Sequence, residues 1–420
     1  MLRWLLTATL LTGLCGCARQ PELTVAQQEA NDLPQALADY KATGWPVDAT
    51  EVDRDHIVSD SQNAASLVQK AELAIDTIFT GPKDTYYGQT INKLRGEVRN
   101  GDYDEAKKLL PLFAKGFDLT EAALQRKSFK PPAGKEEEFY GSAVGDSDLL
   151  AAMAAIRLHD GDVSGSVKNL LDMQVLSDMV GSNEGMSAGL QSLHIRAYMG
   201  NALSRCLWIA GAQPKLLPKF DMAVQSLPES SKEDYVKTLR GATSEYISKS
   251  MSELKLTFSD LANAKNIPSQ IDARAKMDRL VRECLAVATA CNNSHTKAEL
   301  ISRLKPLTNE KHVLSFMAKD AFPTYFPFFQ RHDAHLLALK ALSKALLIRA
   351  LTGKFPKSLS EIPGSWIDPF TGLPLKLLAT ENSIRISSDG PANSENGDYQ
   401  ESAPIAGYPR PPFKKRPIEG

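Results

Sequence analysis

The chain has 420 residues, with 49 Lys plus Arg against 50 Asp plus Glu and a formal net charge of −1. That balance creates no global field to attract nucleic acid or an anionic surface, so nucleic-acid binding is not expected. Hydrophobic content of 43% and charged content of 24% suit a globular chain with a buried core.

Met1 to Leu14 carries one positive charge, Arg3, followed by an apolar run from Trp4 to Leu14. This is a short basic region and a hydrophobic segment of secretory length, below the roughly 20 apolar residues that span a bilayer. No later stretch is long and apolar enough to span either. Leu14-Cys15-Gly16-Cys17 resembles the lipobox of bacterial lipoproteins, with Leu at −3, Gly at −1 and Cys at +1. The resemblance implies that residues 1–16 are a signal peptide, that Cys17 receives a diacylglyceryl group, and that Cys15 is discarded. Cys15 fits poorly as the modified residue because Leu14 would stand where a small side chain is needed. Ala18 replaces the Asp that the family often carries in proteins held at the inner membrane. The expected address is therefore the outer membrane, facing the periplasm. The plainer alternative is an ordinary cleaved signal with incidental cysteines.

Residues 17–60 carry Pro21, Pro34 and Pro46 with little periodicity and are expected to form a tether. From Ser61, read as a helix cap, Ala64, Leu67, Val68, Ala71, Ile75 and Ile78 recur at three- and four-residue spacing. Similar stripes run through Val167, Leu170, Leu171 and Val175, and through 187–209, 233–255 and 269–291. The expected fold is mainly α: an irregular antiparallel helix-pair array over 61–320, with a small α+β module over 321–400. Two breaks are alike, Arg99 to Ala106 (RNGDYDEA) and His159 to Ser166 (HDGDVSGS). The first resembles the Gly-Asp turn of tetratricopeptide repeats, in which Gly permits the reversal and Asp caps the next helix. Most other repeat positions are missing, so a degenerate array that binds partners and a plain helical bundle both remain open.

In the last section a helix with Leu336, Leu339, Leu342 and Leu346 runs to Gly353. A turn at Asp368-Pro369 and Gly372 precedes a hairpin that pairs 375–379 with 383–387. The Pro-rich, basic tail 401–420 is expected to be disordered. Phe355-Pro-Lys-Ser-Leu359, Asp368-Pro-Phe-Thr-Gly-Leu-Pro-Leu375 and Ser387-Ser-Asp-Gly390 together resemble the globular part of type II secretion major pseudopilins. The methylated N-terminal helix of that family is absent, so the resemblance is to a module and not to a pilus subunit. With Asn63-Ala64-Ala65 and the Gly-Asp helix pair, the arrangement also resembles a group of uncharacterised bacterial envelope proteins. That likeness implies architecture and no activity.

Several patterns invite chemistry. Gly185 to Gly189, GMSAG, matches the nucleophile elbow G-x-S-x-G, which would make Ser187 a hydrolase nucleophile. The elbow needs a strand before it, and here a helical stripe precedes it. Three S-x-x-K matches (Ser252/Lys255, Ser294/Lys297, Ser302/Lys305) lack the partner motifs that give them meaning. His332 and His335 share a helical face beside Asp333 but have no third ligand of suitable spacing, and a polar first turn accounts for them. Asp389, Asn393, Asn396 and Asp398 place oxygen ligands on a Gly-rich loop suited to Ca2+, and pseudopilins carry calcium in the corresponding loop. AFPTYFPFF (321–329) reads as an aromatic plug between domains, or else an exposed patch. Cys284 and Cys291 lie on one apolar stripe and read as buried thiols, while a bridge from Cys206 to either stays open. No set of catalytic residues converges. The expected function is that of a lipid-anchored periplasmic protein binding a protein partner or supporting an assembly, against the alternative of a Ser187 hydrolase.

Overall fold

A computed structural model describes residues 23–48, 58–82, 89–183, 185–263, 268–309, 322–389 and 405–409. In chain order the helices are α1 (Val25–Ala42), α2 (Ala65–Asp76), α3 (Thr90–Asn100), α4 (Tyr103–Leu109), α5 (Ala114–Leu124), α6 (Glu136–His159) and α7 (Val163–Gly181). They continue as α8 (Met186–Ala212), α9 (Leu217–Ser226), α10 (Lys232–Glu253), α11 (Phe258–Ala262), α12 (Ile271–Asn292), α13 (Lys297–Asn309) and α14 (Phe322–Thr352). Strands β1 (Lys376–Ala379), β2 (Ile384–Ser387) and β3 (Ile405–Tyr408) form one antiparallel sheet in the order β1-β2-β3. The fold is mainly α with a small C-terminal sheet, as the patterning predicts.

Apolar side chains gather into two cores. The first unites α2 to α9, the later turns of α14 and the sheet. Its centre is α6, buried on almost every side, which is the pattern of a helix surrounded by others. The glycine turns behave as read: Gly101 (φ 88°) and Gly161 (φ 85°) adopt the left-handed conformation that ends α3 and α6. Asp162 then caps α7, its Oδ1 accepting from the Gly165 N–H at 2.8 Å, whereas Asp102 makes no side-chain cap. Ser61 is not the cap of α2 either. Ala64 stands at the N-cap without a side-chain bond, and Asn63 just before it accepts through Oδ1 from the N–H groups of Ala65 and Lys130 while its Nδ2 donates to the Lys130 carbonyl. Ala64 and Ala65 behind it are buried, so the N-A-A segment is a stitch between two chain segments and two small packing residues.

The second core holds α1 together with α10 to α13. Here the expected tether needs correction over 25–47. Ala30, Leu33, Ala36, Leu37 and Tyr40 are buried at helical spacing, and a capping box of Thr24 and Gln27 starts the helix. Pro34 obscures the pattern because it lacks the N–H that should bond the carbonyl four residues earlier. That carbonyl belongs to Ala30, and the buried guanidinium of Arg274 supplies the missing donors, with Nε at 3.2 Å and Nη2 at 3.0 Å. Farther along, Asn292 donates to the Thr43 carbonyl at 2.9 Å, so α1 and α12 run parallel.

Helix α14 serves both cores. Phe329 belongs to the second core and stacks on Tyr235 with centroids 4.3 Å apart, while Leu336, Leu339, Leu342 and Leu346 belong to the first. The 322–329 part of the aromatic stretch forms the start of α14, and Phe329 buries its ring there. The hairpin forms, but one residue out of the expected register: Ala379 lies opposite Ile384, and the Thr380 N–H donates to the Ser383 carbonyl at 2.8 Å, which shortens the turn to two residues. The tail is corrected at 405–408, which adds β3 to β2. The Trp208 indole N–H donates to the Gly407 carbonyl at 2.8 Å, and Arg349 lies over the rings of Phe355 and Tyr408. Cys206, Cys284 and Cys291 are free and buried, Cys206 in the first core and the others in the second, so no bridge joins them.

Candidate functional site

Helix α8 is the seam between the cores. Leu193 faces the second, and Ile195, Met199, Leu203 and Leu207 face the first. Its opening turn carries GMSAG, and both glycines have packing reasons. Gly185, at φ 143°, is the residue before the helix, and the Glu245 carboxylate would lie 2.6 Å from any Cβ placed there. At Gly189 a Cβ would fall on the side chain of Thr238, so α8 and α10 cross at glycine-only separation. Helix α7 precedes the motif and helix α8 follows it, so the strand-to-helix strain of a nucleophile elbow is absent here.

Ser187 is half-buried and lines an open cleft of about 470 Å³. The cleft lies between the 130–140 segment, the start of α8 and the middle of α10. Its charged groups are Lys130, Lys135, Glu136, Glu137, Glu138 and Glu245. No imidazole is among the lining residues, so a hydroxyl there has carboxylates and ammonium groups for neighbours but no histidine base.

The strongest buried charges lie elsewhere, at the junction of α7, α8, α10, α13 and α14. Arg196, 3% exposed, donates through Nε to Ser177 Oγ at 3.0 Å and through Nη1 to Ser230 Oγ at 3.1 Å. Its Nη2 reaches Asp178 at 3.0 Å and Asp234 at 3.2 Å. Asp333, 2% exposed, accepts from the Ser230 N–H at 2.9 Å, from Lys297 at 3.1 Å and from the Tyr235 hydroxyl at 3.4 Å. Burial raises the Asp333 carboxyl, and Lys297 opposes that rise. His332 and His335 are therefore not a polar first turn: they sit within the long helix α14, and both are held below the ordinary imidazole range by burial, His335 at about 4. Among the described residues no group of three or more His, Cys, Asp or Glu side chains is arranged to hold a metal ion.

A third polar node ties the C-terminal motifs together. Asp368 of the D-P-x-x-G turn, itself buried, accepts from the Ser388 hydroxyl at 3.0 and 2.9 Å and from the Asp389 N–H at 2.8 Å. Asp389 thus arrives beside Asp368, with its own carboxylate paired to Lys376 at 2.5 Å. Lys376 already neutralises the one described member of the expected calcium set. Asn393, Asn396 and Asp398 lie outside the described residues, as does Cys17.

Sequence reading passed over Arg196 and Arg274, and took Asp333 only as a neighbour of the histidines and Asp368 only as part of a turn. The available signal was a charged residue interrupting an apolar stripe, as Arg196 does between Ile195 and Met199. No protein-family model matches the chain, and the searches of curated proteins and of solved structures return no match.

Proposed function

We propose that this is a lipid-anchored protein of the bacterial envelope, held by Cys17 at the outer membrane and facing the periplasm, with a non-catalytic role in binding a protein partner or supporting an assembly. The observation that carries the role is where the buried ionic groups go. Arg196, Asp333, Arg274 and Asp368 are engaged by backbone and side chains that hold helices and turns together. None of them lines the cleft at Ser187, so its charges stay on a solvent-facing rim, as a surface for recognition would have them. The likeness of the C-terminal turn-and-hairpin to a pseudopilin head supports an assembly role, and the link from Asp368 to Ser388 gives those motif positions a shared physical purpose.

One observation favours the alternative of a hydrolase: Ser187 does reach an open cleft beside Glu245. A fluorophosphonate probe separates the readings. No labelling of the wild-type protein supports the binding role, and labelling lost in Ser187→Ala establishes the hydrolase. Metabolic labelling with a fatty acid, present in wild type and lost in Cys17→Ala, tests the anchor.

A further inference from the structure

The helix that replaces the expected tether changes how far the body can stand from its anchor. Only six residue steps separate Cys17 from Leu23, where the described chain begins. Fully extended, six steps reach about 20 Å, while a compact chain of about 400 residues has a radius of gyration of about 21 Å. A leash of that length cannot let the body turn freely. The end at which α1 begins stays against the bilayer surface.

That end has a defined composition. Arg274, near the start of α12, donates to the Ala30 carbonyl of α1 and also to the Asp260 carbonyl of α11 at 2.5 Å. Gln270, just ahead of α12, donates to the Asp260 carboxylate at 3.3 Å. The beginnings of α1 and α12 and the short helix α11 therefore share one end of the second core. Large apolar side chains stand uncovered there: Leu23 (51% exposed) and Val25 (73%) flank the cap of α1, and Phe258 (41%) opens α11. The first turn of α1 carries no acidic residue, while those of α11 and α12 carry Asp260 and Asp272, so the contact this end offers is apolar and not electrostatic.

We infer that this end is a membrane-docking face, in which Leu23, Val25 and Phe258 enter the headgroup boundary of a phospholipid bilayer beside the acylated Cys17. The inference rests on the lipid-anchor reading. Apolar side chains at an interface gain from leaving water, so contacts of this kind add to the hold of the diacylglyceryl group and fix how the body sits on the bilayer.

The test uses full-length lipidated protein in vesicles of phosphatidylethanolamine and phosphatidylglycerol, some with brominated acyl chains. An environment-sensitive fluorophore is placed at Val25→Cys, at Phe258→Cys or, as a control, at Leu378→Cys on β1; the three native core thiols are buried and unreactive. Quenching by brominated lipid several-fold greater at 25 and 258 than at 378 is expected. Equal or absent quenching at all three sites, in protein that still floats with the vesicles, overturns the docking face and leaves the anchor standing. Wild-type protein that fails to float, or a Cys17→Ser protein that floats as well as wild type, overturns the anchor reading and the docking face with it.

Discussion

The two cores are made of the same kinds of residue and closed in different ways. In the first, α6, α7 and α8 follow one another in the chain and pack together, and α14 and the sheet are added from farther along. The second is closed by α1 against α12, with Ala30 and its partner Arg274 separated by 244 positions. Local contacts form at small entropic cost, whereas a distant pair must close a long loop before it contributes. The second core therefore leans on α1 for its closure while the first leans on α14 and the sheet, and the stability of the two should prove separable.

The largest effect is expected from emptying that contact. Leu33→Ala removes a fully buried side chain from α1 and should destabilise by about 2–5 kcal/mol. Hydrogen exchange should then show faster opening of α12 than of α6. Equal acceleration in both would mean the cores unfold as one.

Next comes the seam. Arg196→Ala removes charge-assisted bonds to Asp178 and Asp234 and two hydroxyl partners, costing about 1.5–3 kcal/mol. The partial exposure of both carboxylates keeps this below the cost of a fully buried pair. Urea denaturation measures it.

The third prediction concerns Pro34. Arg274→Ala leaves the Ala30 carbonyl without its guanidinium partner, worth about 1–3 kcal/mol. Adding Pro34→Ala restores a helical N–H for that carbonyl and should recover part of the loss. A double-mutant cycle with no coupling between the two positions would break the link between α1 and α12.

Protonation should give the smallest effect. Burial lifts Glu283 of α12 to about 7 and Asp148 of α6 to about 6, the latter against the pull of Arg95. Both acids keep their protons longer when folded, so the stability each contributes is fully present below the ordinary carboxylate range and is lost as pH rises through about 6 for Asp148 and about 7 for Glu283. Glu283→Gln should flatten that decline in melting temperature. His335, lowered to about 4 by burial, acts the other way, removing stability as pH falls from about 6.5 toward 4.

Much of the architecture was legible in the residues. The three- and four-residue spacing of apolar side chains found the helices of the body, the Gly-Asp pairs found two turns, and the hairpin was placed with its register one residue off. The legible part of the site was thinner. GMSAG drew attention to Ser187, and only the approach of Thr238 and Glu245 explains its glycines as packing positions. Nothing local announced that Asp368 meets Ser388, or that Lys376 meets Asp389. Helix α1 was missed because one proline broke its pattern and the compensating arginine lies far along the chain.

The sequence alone determined the helical character of the chain, its near-neutral charge and the lipobox-like stretch ending at Cys17, because each is carried by neighbouring residues. The tertiary structure alone decided that residues 25–47 close a core, that residues 405–408 add a strand and that the buried charges serve helix junctions. Those outcomes depend on donors and acceptors meeting across long separations. Periodicity reports which face of a helix is apolar, but says nothing about which distant group will satisfy a carbonyl or a carboxylate once that face is buried.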